Sequence, residues 1–152
     1  MQITLKQIDK ELREIATKHT QIQSYYFGEE LEIQEANKLD NCTLFANVND
    51  ANISTSFVTL NLIIAVLDKI NTDKSNLLDV ESDTLQIVND IYHVLQYSNR
   101  WQEWGIVDQV GSTQKLYEHT DSILGGWSIT INLKIKANKG ICDTAFNGYN
   151  FD

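Results

Sequence analysis

The feature that most limits how this chain can fold is a strict alternation of apolar and polar residues from Trp127 to Lys136. Each odd position from Trp127 to Ile135 is apolar, and each even position is Ser, Thr, Asn or Lys. Successive side chains of a β-strand point to opposite faces of the sheet, so this pattern produces one apolar and one polar face. The segment is therefore predicted to be a half-buried strand.

The most hydrophobic stretch, residues 57–67, predicts a second and more central strand. Its even positions from Val58 to Val66 are apolar, whereas the other face begins with Thr59 and Asn61 and becomes apolar from Ile63 onward. This pattern predicts a strand covered on one side throughout and on both sides at its C-terminal end. A buried helix is the alternative, but the many β-branched residues favour the strand.

Three shorter segments also have strand character. Residues 22–27 are rich in β-formers, residues 42–48 alternate, and residues 101–110 predict a strand with exposed aromatic side chains. Asn and Asp residues at 47–52 predict a turn, as does the pair Gly111 and Ser112.

Two segments have helical periodicity. Thr4 and Gln7 fit a capping box, which opens a helix predicted over residues 5–19. Residues 68–79 are polar and predict a loop, and the apolar spacing after it predicts a helix over residues 82–97, capped at Ser82 or Asp83.

The order of these elements is helix, strands, helix, strands. That order predicts an α+β fold in which a mostly antiparallel sheet carries two helices packed on one face. Residues 1–136 are predicted to form a single domain. Residues 137–152 contain no periodic pattern and are predicted to be a C-terminal arm.

The charge balance argues against a protein that grips nucleic acid. The chain of 152 residues has 12 Lys and Arg against 21 Asp and Glu, a net charge of −9, and only Arg13 and Arg100 are arginine. Binding a phosphate backbone relies on a cationic surface and on guanidinium groups. A conduit through which DNA slides should not hold it, so an acidic or neutral wall suits that role.

The sequence contains neither the roughly 20 successive apolar residues of a membrane-spanning helix nor the pattern of a signal peptide. We therefore expect a soluble protein made in a cytoplasm, without a membrane partner. Cys42 and Cys142 are expected to be two buried free thiols, with a disulfide between them as the alternative.

The search for catalytic groups gives no positive signal. Asp79, Glu81 and Asp83 could bind a hard cation, but carboxylates at a helix N-terminus also complement its dipole. Gly125 and Gly126 are followed by a strand rather than by a phosphate-binding helix, and they are expected to supply backbone freedom before Trp127. We therefore predict no catalytic residue, metal or cofactor, and a protein that is not an enzyme. The three histidines are isolated, without metal-ligand spacing: His19, His93 and His119.

The remaining candidates are surface residues. Aromatic side chains around an arginine are typical of protein interfaces, and aromatic residues on an aperiodic terminus are hard to bury within a small domain of their own. Core packing of the tryptophans is the alternative, because large aromatic side chains are usually buried. The predicted interface residues are Tyr97, Arg100, Trp101, Trp104, Tyr149 and Phe151.

Three segments together resemble a group of small virion proteins of Bacteroidetes-infecting, crAss-like phages. The first spans residues 62–71 with Lys74-Ser-Asn76, and the second, residues 79–90, reads DVESDTLQIVND and is similar to the pattern VxSDTLxIxxD of that group. The third is Gly125-Gly-Trp-Ser-Ile-Thr-Ile131 with Cys142 after it. The resemblance covers about the last 90 residues, and Gly125 stands where the group commonly has Ala.

This resemblance implies a neck or tail-connector protein, similar in architecture to the tail-terminator and tail-completion proteins, whose α+β subunits assemble into rings. The leading hypothesis is therefore a structural virion protein, assembled in the host cytoplasm, that forms a cyclic homo-oligomer at the junction of portal and tail. Its partners would be its own copies, neighbouring connector, portal or tail proteins, and genomic DNA that passes through without specific binding. The alternatives are a small binding module that acts as a monomer or dimer, and a metal-assisted hydrolase using Asp79, Glu81 and Asp83.

Overall fold

The computed structural model describes residues 3–28, 41–119 and 123–136, with backbone only for Glu118 and His119. Over these residues the fold is α+β, as the sequence predicts, with three helices packed against a mostly antiparallel six-stranded sheet. The C-terminal arm, including Cys142, Tyr149 and Phe151, lies outside the described residues.

The helices are α1 (Leu5–Lys18), α2 (Leu77–Tyr97) and α3 (Asn99–Trp104). The strands are β1 (Ser24–Phe27), β2 (Thr43–Ile53), β3 (Phe57–Ile70), β4 (Gly105–Gln109), β5 (Gln114–His119) and β6 (Ile123–Lys136). Their order across the sheet is β1-β2-β3-β6-β4, and β5 also pairs with β6. Among the strand pairs in the described ranges, only β1 and β2 run parallel; the others are antiparallel.

Strands β4 and β5 lie one after the other along the same edge of β6. Gln109 pairs with Ile131 and Gln114 with Ser128. Four residues, 110–113, therefore stand opposite only two, 129–130. They form an irregular turn that interrupts the strand pairing along this edge of β6. Gly111 lies in this turn with φ of 71°, a backbone conformation that favours glycine.

One face of the sheet, hereafter the helix face, carries the main core. Apolar side chains of α1 and α2 pack there with those of β2, β3 and β6. The alternating strand pattern is confirmed, because Ile129, Ile131, Leu133 and Ile135 are buried on this face, while Lys134 on the opposite face is exposed. Burial of these side chains is the main source of stability for the layer of helix on sheet.

The opposite face, hereafter the far face, is apolar at one end only. Phe45, Ala65 and Leu67 form a second buried cluster there. All four residues 64–67 of β3 are buried, which confirms that this strand is covered on both sides at its C-terminal end. Toward the other end, the far face carries the hydrogen-bonded pair Asn61 and Asn132.

The first helix is confirmed, and the second begins earlier than predicted. Thr4 caps α1, accepting from the Gln7 amide while the Gln7 side chain accepts from the Thr4 amide. The predicted loop is present but shorter, at residues 71–76 instead of 68–79, and the predicted cap at Ser82 or Asp83 is wrong, since β3 extends to Ile70 and α2 starts at Leu77. Packing explains the difference, because Leu77 and Val80 contact Ile70 and Ile123.

Two further predictions are corrected. Residues 47–52 belong to β2, where a β-bulge between Val48 and Asp50 accommodates the polar run, so they do not form a turn. The strand predicted over 101–110 is divided into α3 and β4, because Trp101 is buried in the core and holds its segment against the helices.

Candidate functional site

The predicted aromatic cluster lies where α2 ends and α3 begins. Trp101 is only 1% exposed and is part of the core. Trp104 is half-buried, and its ring centroid lies 5.0 Å from that of Trp101, so the two tryptophans pack on each other. The structure thus brings these residues together, but it places Trp101 in the interior instead of on the surface.

The other two described members of the predicted interface are accessible. Tyr97 is 69% exposed, and its ring stacks on His93 with centroids 5.7 Å apart. Arg100 forms an ion pair with Glu11 of α1, and its guanidinium also lies 3.8 Å from a carboxylate oxygen of Glu14. Arg100 therefore links α3 to α1, whereas the Tyr97 ring is free to contact another molecule.

Arg100 also closes one end of a groove between α1 and α2. The groove has a volume of about 400 Å³, and Ile15 and Val94 line it. A second, smaller pocket of about 210 Å³ between the same helices is lined by His19 and Asp90, and the His19 ring lies 3.1 Å from a carboxylate oxygen of Asp90. Among the described residues, the charged side chains that line these two pockets are paired with one another, so neither pocket offers a free charged group that would select a ligand.

Both edges of the sheet contain backbone with no partner strand in the described part of the chain. On one side β1 pairs only with Thr43–Ala46, so residues 47–53 of β2 form an open edge. On the other side β4 and β5 pair with β6 alone. Ile53 at the first edge is 80% exposed and Ile106 at the second is 58% exposed. Unpaired strand edges with exposed apolar side chains are sites of association with other chains.

A polar cleft of about 370 Å³ opens near the start of β2, lined by Gln23, Asn41, Cys42, Asp68 and Asp83 among others. Burial raises the pKa of the Cys42 thiol to about 12, and the charges of Asp68 and Asp83 add to the rise. The thiolate is the nucleophilic form of cysteine, so the raised pKa keeps this thiol in its protonated, less nucleophilic form at neutral pH. Burial also raises the pKa of Asp68; the hydrogen bond from the Lys69 amide opposes that rise and Asp83 adds to it.

The three carboxylates considered as a metal site lie on α2, which places Glu81 on a different side from Asp79 and Asp83. Asp79 and Asp83 are exposed and four residues apart, but Glu81 turns toward the sheet. Lys115 Nζ lies 3.4 Å from Glu81 Oε2, and Trp127 Nε1 donates to the Glu81 carbonyl at 2.8 Å. Within residues 3–28, 41–119 and 123–136, no group of three His, Cys, Asp or Glu residues could hold a metal ion.

Sequence reasoning missed the open edge of β2 and the exposure of Ile53. The Asn and Asp residues at 47–52 resemble a turn locally, and a bulged strand can contain the same residues. The available signal is the run Ser54-Thr55-Ser56 directly before the apolar stretch that begins at Phe57. The actual turn lies there, and the Ser54 amide donates to the Phe57 carbonyl.

Comparison with known proteins gave no match to a protein-family model and no significant match to a curated protein sequence. None of the described helices is long and apolar enough to cross a membrane.

Proposed function

We propose that this chain is a structural protein of a tailed-phage virion that assembles into a ring in the head-to-tail connector and so forms part of a conduit for DNA. Its partners in this proposal are copies of itself and the neighbouring connector, portal or tail proteins. The proposal joins the sequence resemblance to connector proteins with the surface of the fold.

The observation that carries the proposal is that, among the described residues, the sheet of one subunit has an unpaired edge on each of two opposite sides. Ile53 lies at one edge and Ile106 at the other, and both side chains are largely exposed. A ring requires two different surfaces on each subunit that bind each other head to tail. A sheet with one open edge on each side provides two such surfaces.

The charge of the chain supports a conduit. A net charge of −9 makes the surface acidic on average, and such a surface repels the phosphate backbone. DNA that crosses a ring of these subunits is therefore not retained by the wall.

The test is native mass spectrometry of the purified chain over a range of concentrations, together with electron microscopy of purified virions. We expect a closed cyclic species of more than two subunits and a matching ring between portal and tail. A chain that stays strictly monomeric at high concentration and is absent from the particle contradicts the proposal.

The second candidate is a binding module that acts as a monomer or dimer, and the polar cleft near Asp68 favours it. The cleft opens onto carboxylate, amide and thiol groups, which suit a small polar molecule better than an apolar one. Native mass spectrometry separates the candidates, because a binding module stays a monomer or dimer at every concentration, whereas a connector subunit forms a larger ring.

A further inference from the structure

We propose that neighbouring copies join by strand pairing, with β4 of one copy adding to the open edge of β2 in the next. The inference rests on the proposed ring and specifies its subunit contact. The partner surface is thus a second copy of this chain, bound edge to edge, so that the sheet continues from one subunit to the next.

The first support is that the two open edges lie at the same level of the sheet. Asn52 pairs with Thr59, Thr59 with Lys134, and Lys134 with Ile106. One row of the sheet therefore runs from the open edge of β2 to the open edge of β4. At this level Asn52 of a second copy would lie beside Ile106 of the first. The register chosen below differs from that level by two residues, which is one repeat of the side-chain pattern along a strand.

The second support is strand direction. Three successive antiparallel pairings connect β2 to β3, β3 to β6 and β6 to β4, so β2 and β4 run in opposite directions. When the next copy continues the sheet, turned by the twist that accumulates from β2 to β4, β4 of one copy meets β2 of the next as an antiparallel pair. Antiparallel strands form hydrogen bonds perpendicular to the strands, so the new pair is of the same kind as the pairs β2 with β3, β3 with β6 and β6 with β4.

The third support is that the free backbone groups of the two edges match. The Val110 amide donates to the Thr130 carbonyl at 2.8 Å. Backbone groups alternate sides along a strand, so Val107 and Gln109 direct their amide and carbonyl groups away from β6. The same reasoning applies to β2.

On β2, the Ala46 carbonyl accepts from the Gly28 amide of β1. The backbone amide and carbonyl of Ala46 therefore point away from β3, toward the edge of the sheet. The alternation continues through the bulge, which adds one residue, and gives Ala51 and Ile53 the same outward direction. The four residues whose backbone groups point outward all have their side chains on the helix face: Ala51 and Ile53 on β2, and Val107 and Gln109 on β4. Pairing them therefore keeps the helices of both copies on the same side of the continued sheet.

Side-chain chemistry selects the register. Pairing Ala51 with Gln109 places Ile53 of one copy opposite Val107 of the next, both on the helix face. Ile53, which is exposed in the single subunit, then contacts an apolar side chain. It also sets Asp50 opposite Val110, whereas a shift by two residues sets Asp50 directly opposite Asp108. Like charges directly opposite each other in a sheet are destabilising, so the first register is favoured.

The test is cross-linking of Asn52→Cys to Asp108→Cys, in a Cys142→Ser background that leaves only the buried Cys42. In the favoured register these two positions face each other on the far face as a non-hydrogen-bonded pair, the closest kind in an antiparallel sheet. Their separation is then within the range of a disulfide. We expect the double variant to form a ladder of linked subunits under mild oxidation.

The single variants are the matched controls. Each alone should stay unlinked, and an equal mixture of the two should give linked dimers only. Links within either single variant reveal a symmetric pairing of identical edges and overturn the proposal. Gln109→Pro removes an outward-facing amide without removing a bond to β6, so it should abolish the ring and leave the melting temperature within a few degrees.

The outcomes also separate this inference from the proposed function. A ring seen by native mass spectrometry without links between positions 52 and 108, and retained by Gln109→Pro, overturns edge pairing but leaves the ring function in place. A strictly monomeric chain overturns both. A ring that links as expected and is lost in Gln109→Pro supports both.

Discussion

At the scale of single residues, burial decides what each side chain does. Trp101 and Tyr97 are both aromatic and only four positions apart, yet the first is 1% exposed and the second 69% exposed. Residue type alone made both of them interface candidates. Their positions in the fold make one a core residue and leave the other on the surface.

We predict that Trp101→Ala lowers the free energy of unfolding by about 3–5 kcal/mol, because it removes a large buried side chain and leaves a cavity. Tyr97→Ala is the matched control and should change stability by no more than about 0.5 kcal/mol. Urea unfolding followed by circular dichroism measures both. A small effect for Trp101→Ala would contradict its place in the core.

The raised pKa of Asp68 predicts a pH-dependent stability. The folded state holds this proton more tightly than the unfolded state, so Asp68 lowers stability once the pH rises above its unfolded pKa of about 3.9. We expect Asp68→Asn to be more stable than the wild type at neutral pH, since an amide oxygen can still accept from the Lys69 amide. The difference in stability between Asp68→Asn and the wild type should disappear in acid, where Asp68 is protonated in both the folded and the unfolded protein.

Asp73 provides a control of opposite sign. Hydrogen bonds from Ser75 hold the pKa of Asp73 below its usual value, so its charge favours the folded state. Thermal unfolding across a pH series should therefore show no stabilisation by Asp73→Asn at neutral pH. Equal stabilisation by both substitutions would assign the effect to overall charge and not to the burial of Asp68.

At the scale of elements, packing between neighbours sets where helices and strands begin and end. Helix α2 starts at Leu77 although Asn76 supplies no side-chain cap, because Leu77 and Val80 are packed against Ile70 and Ile123. Glycines in β6 serve packing as well. The expected backbone freedom before Trp127 is not their role in the structure, since both lie within the strand.

Gly126 allows close approach between β6 and β3. A Cβ atom there would lie 1.8 Å from the Val66 carbonyl oxygen, whereas one at Gly125 would meet the end of the Ile70 side chain at 2.5 Å. We predict that Gly126→Ala costs about 1–3 kcal/mol of stability, as overpacking does, and that Gly125→Ala costs less because a side-chain end can move. Paired thermal unfolding measurements check the order of the two effects.

At the scale of the whole molecule, charge opposes the assembly that the sheet edges favour. Each copy carries a net charge of −9, and Asp50 and Asp108 lie on the two open edges. Repulsion between copies is screened over a Debye length of about 10 Å at 0.1 M salt. Association of this protein should therefore respond to ionic strength.

We predict that ring formation strengthens as salt is raised from about 0.05 to 0.5 M, measured by sedimentation velocity, because screening removes repulsion between acidic subunits. The variant with Asp50→Asn and Asp108→Asn should assemble at lower salt and depend less on it. Weaker association at high salt would mean that attractive ion pairs hold the subunits together, contrary to the edge-pairing contact.

The sequence by itself determined the fold class, the first helix with its capping box, and the two longest strands. These elements depend on local periodicity and on hydrogen bonds between residues a few positions apart, so the pattern of residues contains them. The tertiary structure alone decided the burial of Trp101, the start of α2, the strand formed by residues 47–53 and the open edges on both sides of the sheet. Each of these depends on contacts between residues distant in the chain, such as Leu77 with Ile123, and no local pattern encodes which distant residues meet.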